Sequence, residues 1–527
     1  MPITFWAQPL PVPASQATDS MLTVEILEGV RKLEIRKLND STTLQILAGN
    51  VKLKQGTSRF WCDSCVINNN TKTFEAWGHV RINDADTANL YASHLRYLID
   101  KRMAYMDGGV RLNDGKGELT TPDLEYDMTS NIGVYKHGGR VVNKKTVLTS
   151  REGYYYADLK DVYFKKNVEL RDPNYYLKTD SLLYNTEQGL ARFIAETFIK
   201  DSSGRTIETK EGYYNLTTGK AEFGRRPIIR DPKSKLFITA DFIERNDSLQ
   251  ISHARGNVII RDSINNNTII AGDVYKDDKR EIMLATNKPL MIIKQDADSV
   301  YVTADTLFSA RLSDLYSKKD TVVKEKVKGT QVINTANKDS TNRYFEAYRN
   351  VRIFSDSIQA ISDSLFYSFK DSVFRLFQNP VIWSKESQIT GDTVYLFTKN
   401  KKADKIKVFE NSFLINKAAP GIFNQIKSSR MVGYFRDGNI DSVRAAGFAE
   451  CIYYIQDEDS AFTGINESKS DILDIYFGNQ TLQKVVFRSE VTGTVWPMRM
   501  KKPDEMRLPN FQWLEARRPK TKYELFE

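Results

Sequence analysis

The heptapeptide TDSLLYN, Thr179–Asn185, sets an acid between hydroxyls and an aromatic ring. Those residue types suit proton transfer when they occur together in a site. Similar strings return as TPDLEYD from Thr121, TADFIER from Thr239, TADTLFS from Thr303, ISDSLFY from Ile361 and TGDTVYL from Thr390. The full series is centred on Asp63, Ser93, Asp123, Glu152, Asp180, Glu211, Asp241, Asp273, Asp305, Asp363 and Asp392. Its steps are about 30 residues, with one double-length step between Asp305 and Asp363. A catalytic acid occurs once or twice in a site. An acid that returns with every repeat is an architectural device, expected to bond backbone groups at a bend or bulge.

Other residues with chemical potential are sparse. His79, His94, His137 and His253 are scattered without metal-ligand spacing and are read as surface or strand-face residues. Cys62 and Cys65 form a C-x-x-C with no second pair, so a zinc ribbon is not expected. Positions three apart on an extended strand point to opposite faces, which makes a disulfide between them awkward. With Cys451 they are read as semi-buried small residues. There is no P-loop, G-x-S-x-G or H-E-x-x-H. No catalytic residue, metal site or cofactor is assigned, and a non-enzymatic role is expected.

The elements that carry the repeated acid follow from a second string, offset by about half a period. It reads GNVKL from Gly49, GHVRI from Gly78, GGVRL from Gly108, KNVEL from Lys166, GNVII from Gly256, RNVRI from Arg349 and NPVIW from Asn379. Gly or Asn supplies a left-handed or bulged conformation, and an alternating strand follows. Val51, Leu53, Val80, Ile82, Val110, Leu112, Val168, Leu170, Val258 and Ile260 then share an inner face. Lys52, Arg81, Arg111 and Glu169, between them, face outward. The stack is an all-β, antiparallel bent sheet or rolled tube with an apolar interior. If it does not close, that interior is a long groove.

Composition agrees. The 26 Tyr and 27 Phe favour strands, and 41% hydrophobic with 27% charged residues describes a globular chain. The net charge of +9 is spread along the chain rather than gathered in a patch, so a nucleic-acid partner is not expected. No apolar run reaches the roughly 18 residues of a membrane helix. The opening MPITFWAQPLPVPASQ reads like the end of an export signal without its apolar region.

The beat breaks at residues 312–342, which are charged and poor in large apolar side chains, as in an inserted loop. After Phe409 the spacing widens. The expected divisions are an N-terminal segment 1–40, a first array 41–311, the insert 312–342, a second array 343–500, and a Pro/aromatic tail 501–527.

The ordered succession of GNVKL…CDSCVINNNTKTFEAWGHVRI, LYASHLRYLIDKRMAYMDGGVRL and LTTPDLEYDMTSNIGVYKHGG resembles the OstA-like family, the periplasmic lipopolysaccharide-transport bridge proteins, in its long Bacteroidetes form. FNQIK and FQWLEARRP resemble that form too. CDSC departs from the pattern by an extra Cys. The resemblance implies a β-jellyroll, or β-taco, whose groove holds lipopolysaccharide acyl chains, the ten inward residues lining it. It implies a periplasmic location, in association with the outer membrane in some members. It also implies end-to-end docking, by edge-strand pairing, with similar modules at the inner and outer membranes. A polysaccharide-active or adhesive β-solenoid is the alternative; the first needs a unique acid–base cluster and the second an interior packed solid.

Overall fold

The computed structural model describes residues 23–526, apart from residue 41 and the stretches 85–87, 295–298, 318–341, 400–401, 437–438, 458, 460 and 479–480. The export-signal reading of the first residues falls outside the described residues, as does most of the 312–342 insert. The insert's first residues, Leu312–Ser317, form a short α-helix. Everything else regular is strand or 3₁₀ turn, so the fold is all-β and antiparallel as the alternation predicts. The chain divides into two compact units, Met1–Lys233 and Ser234–Glu527. That boundary lies ahead of the break in the repeat beat.

In the first unit, Thr43–Gln55, Ser58–Asn68, Thr73–Asp84, Ala88–Leu98, Met103–Asn113 and Glu118–Asp127 each pair with the next in sequence. Every one of these pairings slips in mid-strand, at Ala48/Val51, Trp61/Ser64, Trp77/Val80, Tyr91/His94 and Asp107/Val110. A slip repeated in every pairing bends all strands along one line. Each strand therefore contributes its first half to one wall and its second half to another.

The bend is made by two consecutive left-handed residues on alternate strands. Gly49 and Asn50 have φ of 77° and 53°, and Gly78 and His79 have 74° and 42°. The second unit repeats the device at Gly256 and Asn257, with φ of 72° and 45°. Gly and Asn enter this region easily, which is why they mark the repeat. Lys166, Arg225, Arg226, Arg349 and Glu410 also adopt it, so the structural repeat continues where the sequence signal fades.

The recurring acid faces this pair. The backbone N–H of Asp241 donates to the Gly256 carbonyl at 2.8 Å, that of Asp305 to Arg349 at 3.0 Å, and that of Asp392 to Glu410 at 3.2 Å. Their carboxylates accept from Asn257, Asn350 and Asn411 at 2.8–3.1 Å. Elsewhere the acid sits one residue later. Arg151 and Gly272 then donate the backbone bond, to Lys166 and Asn287 at 2.9 Å each. Glu152 instead accepts from Lys166 Nζ at 2.7 Å, and Glu211 pairs with Arg225 at 2.7 Å. At these five bends the backbone bond recurs, and the acid occupies one of two adjacent places around it.

In the second unit the strands lengthen after Phe409. Lys402–Ala419, Ile422–Arg436, Asn439–Gln456 and Phe462–Gly478 pair in order, with the same mid-strand slips at Phe409/Ser412, Lys427/Arg430 and Ala446/Ala449. The wider spacing of the motifs is longer strands rather than a different fold.

A methyl group at Gly256 would lie 2.4 Å from Asp241 Oδ2 and 2.9 Å from its Cβ, on a backbone that disfavours any Cβ. Gly256→Ala should lower the stability of the second unit by about 1–2 kcal/mol. Asn257→Ala adds no new Cβ but loses an exposed side-chain bond and asparagine's tolerance of the left-handed backbone, and should cost about 1 kcal/mol, less than Gly256→Ala. Urea midpoints of the two variants check the order.

Candidate apolar groove

The ten inward-facing residues all lie inside the walls, none more than 6% exposed. Val51, Leu53, Val80, Ile82, Val110, Leu112, Val168 and Leu170 belong to the first unit, and Val258 and Ile260 to the second. In the first unit they extend into an unbroken lateral row. Leu53, Phe60, Ile82, Leu90, Leu112, Leu119, Val141, Leu148, Leu170, Leu177, Ile199, Ile207 and Ile229 stand directly opposite one another on successive strands. Direct cross-strand neighbours of this kind pack side by side, so one wall presents a continuous apolar strip, aliphatic except at Phe60.

The facing wall is different. Its row runs Phe74, Tyr97, Ala104, Tyr126, Gly133, Tyr155, Val162, Tyr184, Ala191, Tyr214, Ala221. From Tyr97 onward a tyrosine alternates with Ala, Gly or Val, whereas Phe74 at the start of the row packs its ring 4.9 Å from that of Tyr97. These tyrosines are the closing residue of the repeated acid motif.

Their hydroxyls cross the interior. Tyr97 donates to Gln55 Oε1 at 2.5 Å, Tyr126 to Asp84 at 3.4 Å and Tyr155 to Asp114 at 2.8 Å, while Asn143 donates to Tyr184 at 3.4 Å. Tyr97 and Gln55 lie three strands apart, roughly 14 Å along the sheet, so the bond cannot run within one wall. These bonds hold the two walls together at the edge opposite the bend. Gln55 and Asp84 are 1% and 2% exposed, and Ser58 Oγ donates to Asp84 at 2.7 Å. The apolar interior anticipated from alternation is present, and these bonds close it at this edge. A narrow slot lies beside one such bond, lined by Leu112, Leu119, Val141, Tyr155 and Val162 with Asp114 and Thr186, with room for about one water molecule.

Outside the aliphatic wall, Lys52, Trp61, Arg81, Tyr91 and Arg111 stand opposite one another. The Arg81 guanidinium lies 5.0 Å from the Trp61 ring centre and that of Arg111 4.5 Å from Tyr91. The outward charges expected at Lys52, Arg81 and Arg111 are thus interleaved with aromatic rings that steady them.

The histidines and cysteines differ from their sequence reading in detail. The histidines are not merely scattered: His79, His94, His137 and His253 pair with Asp63, Asp107, Asp123 and Asp273 at 2.5–2.9 Å. His79 is itself a left-handed bend residue. Cys62 and Cys65 are both buried, and free as thiols. The bend between them breaks the strict alternation, so positions three apart share the interior. A hydrogen bond from Cys62, together with burial, pushes the Cys65 thiol well up. Burial alone pushes Cys451 up to about 12.

Burial also raises Tyr97, Tyr155 and Tyr184, with Asp114 adding to the effect on Tyr155, and it pushes Tyr135 up to about 12. An unfolded Tyr ionises near pH 10. Above that pH the unfolded chain loses protons that the folded chain keeps, so stability falls as pH rises. Spectrophotometric titration should therefore show these tyrosines ionising late and together with unfolding. Tyr155→Phe should cost about 1 kcal/mol in urea at neutral pH.

Residues 23–180 match the family described as OstA-like protein. No curated protein sequence matches the chain. Among solved structures, one match is the crystal structure of LptH from Pseudomonas aeruginosa, the LptA homologous periplasmic component of its lipopolysaccharide transport device. It shares 10% identity, covers 28% of this chain and 85% of LptH, and has a TM-score of 0.20. The segment of the first unit from residue 23 to residue 180 is thus similar to the OstA-like family.

Proposed function

We propose that this protein is a non-enzymatic periplasmic bridge, or an accessory to one, that shelters lipopolysaccharide acyl chains between its walls and hands them toward the outer membrane. The observation that carries this reading is the apolar row from Leu53 to Ile229, aliphatic except at Phe60 and unbroken across the first unit. The OstA-like match over residues 23–180 supports it.

Each methylene left in water costs about 0.8 kcal/mol, so a multi-acyl lipid crossing water unaided meets a barrier of tens of kcal/mol. A row of near-equivalent aliphatic positions removes that barrier at every strand, and moving one strand along changes little. No bond is made or broken, so no catalyst is required. Opening the walls breaks the tyrosine bonds, each worth about 1 kcal/mol, which an incoming acyl chain offsets with one or two buried methylenes. Lys52, Arg81 and Arg111 offer charge outside for anionic head groups.

Partner modules would add at strand edges. Among the described residues, Lys32–Lys37 pairs on one side only, with Thr43–Ala48, and carries Leu33 and Ile35 at 53% and 67% exposure. In the second unit, among the described residues, Thr481–Arg488 and Thr492–Pro497 pair with Phe462–Gly478 and with no other strand. Such edges accept a strand from another jellyroll and are a hazard otherwise.

A photo-crosslinking residue placed at Val80 or Ile82 should label lipopolysaccharide in the native envelope, and the same residue at Lys52 or Arg81 should not label its acyl chains. Acyl labelling from the outer positions alone would overturn the proposal.

A further inference from the structure

The second unit has a polar row of its own, and a distant piece of chain lies on it. Gln359, Trp383, Gln388, Ile415, Gln425 and Ile452 stand directly opposite one another on successive strands, none more than 5% exposed. Side-chain amides alternate with apolar groups along it. Residues 503–526 run over this row. Gln425 donates to the Met506 carbonyl at 2.9 Å and accepts from the Leu508 N–H at 2.8 Å. Gln388 donates to the Gln512 carbonyl at 2.8 Å and accepts from the Leu514 N–H at 2.7 Å. Gln359 accepts from Arg518 Nε at 2.8 Å.

The apolar side chains of the same segment point into the unit. Met506 and Leu508 are buried with Phe413, Ile415, Phe423 and Ile465, and Trp513 packs its ring 5.3 Å from that of Phe423. Leu514 packs against Trp383. The segment thus fills an apolar interior that the strands alone do not fill.

Two features mark it as a separable occupant. Its contacts with the row are made by glutamine side chains, not by a strand ladder, so it can leave without breaking any strand pairing. It also leaves the row incompletely satisfied. Trp383 is fully buried, yet its Nε1 has no acceptor among the described residues. In the first unit the corresponding closure is made by tyrosines fixed in the wall, which cannot depart.

We propose that residues 503–526 are a removable lid, seated on Gln359, Gln388 and Gln425 in the space that acyl chains take when it lifts. The inference rests on the acyl-sheltering function above and adds a gate to it. Acyl chains replace Met506, Leu508 and Trp513 in the interior, and an ester or hydroxyl oxygen of the lipid supplies the acceptor that Trp383 lacks. Lid and lipid exclude each other.

The test uses the full chain and the fluorescent polyene fatty acid cis-parinaric acid. Gln388→Met with Gln425→Met keeps side-chain volume and removes four bonds to the lid. Leu508→Asp, as a second variant, disfavours lid seating from the lid side. Both should bind the probe several-fold more than the parent protein. A synthetic peptide of residues 503–526 should compete the added probe off. In the parent protein, saturating probe should speed hydrogen exchange at the Leu508 and Leu514 amides. Equal probe binding in parent and variants, or Leu508 and Leu514 amides still protected under saturating probe, overturns the lid. If crosslinks from Val80 or Ile82 still report lipid in that case, the lid alone fails and the sheltering function stands. Probe and lipid binding absent from every protein overturns both.

Discussion

Everything in the first unit depends on a backbone bend that each strand must make at its midpoint. Two left-handed residues in succession are strained for most side chains, and a strand ladder cannot continue through them undisturbed. The structure stabilises the bend with a backbone hydrogen bond from the neighbouring strand, and usually with an acid beside it. Because the bend recurs at the same place on each strand, the sheet folds along a line instead of crumpling. Two walls follow from that line, and an interior follows from two walls.

The interior is built asymmetrically. One wall offers a continuous apolar row, aliphatic except at Phe60, and the other alternates tyrosine with small residues or Val from Tyr97 onward. Rings on one side and branched aliphatics on the other meet across the interior, with a slot open beside Tyr155 and Asp114. The hydroxyls make the far edge a line of discrete bonds rather than a greasy contact. An edge held by hydrogen bonds has a definite closed state and a definite cost of opening, whereas a purely apolar edge would slide.

Much of this was legible in the sequence, and the division between what was and was not has a physical basis. Alternation at Val51–Leu53 or Val80–Ile82 is a property of neighbouring residues, so the inner face could be named from spacing alone. The bends at Gly49–Asn50 and Gly256–Asn257 were visible because those residues tolerate a left-handed backbone. Lys166 and Arg225 make the same bend with no such signature. The Tyr97–Gln55 bond escaped notice because its partners stand 42 positions apart in sequence, and nothing local links them. The seating of Leu508 on Gln425, 83 positions away, was invisible for the same reason. Cys62 and Cys65 were placed on opposite faces by a rule for straight strands, and the bend lies between them.

Arg311 and Arg343 are cross-strand partners in the second unit. Thr306–Arg311 and Arg343–Phe354 thus hold their register side by side across a separation of many residues in sequence. The entropy of closing a loop grows only with the logarithm of its length, so added length at such a point costs a strand pair little. That junction is a natural graft point: a reporter or an additional folded module spliced there would ride on the scaffold while every strand kept its neighbour.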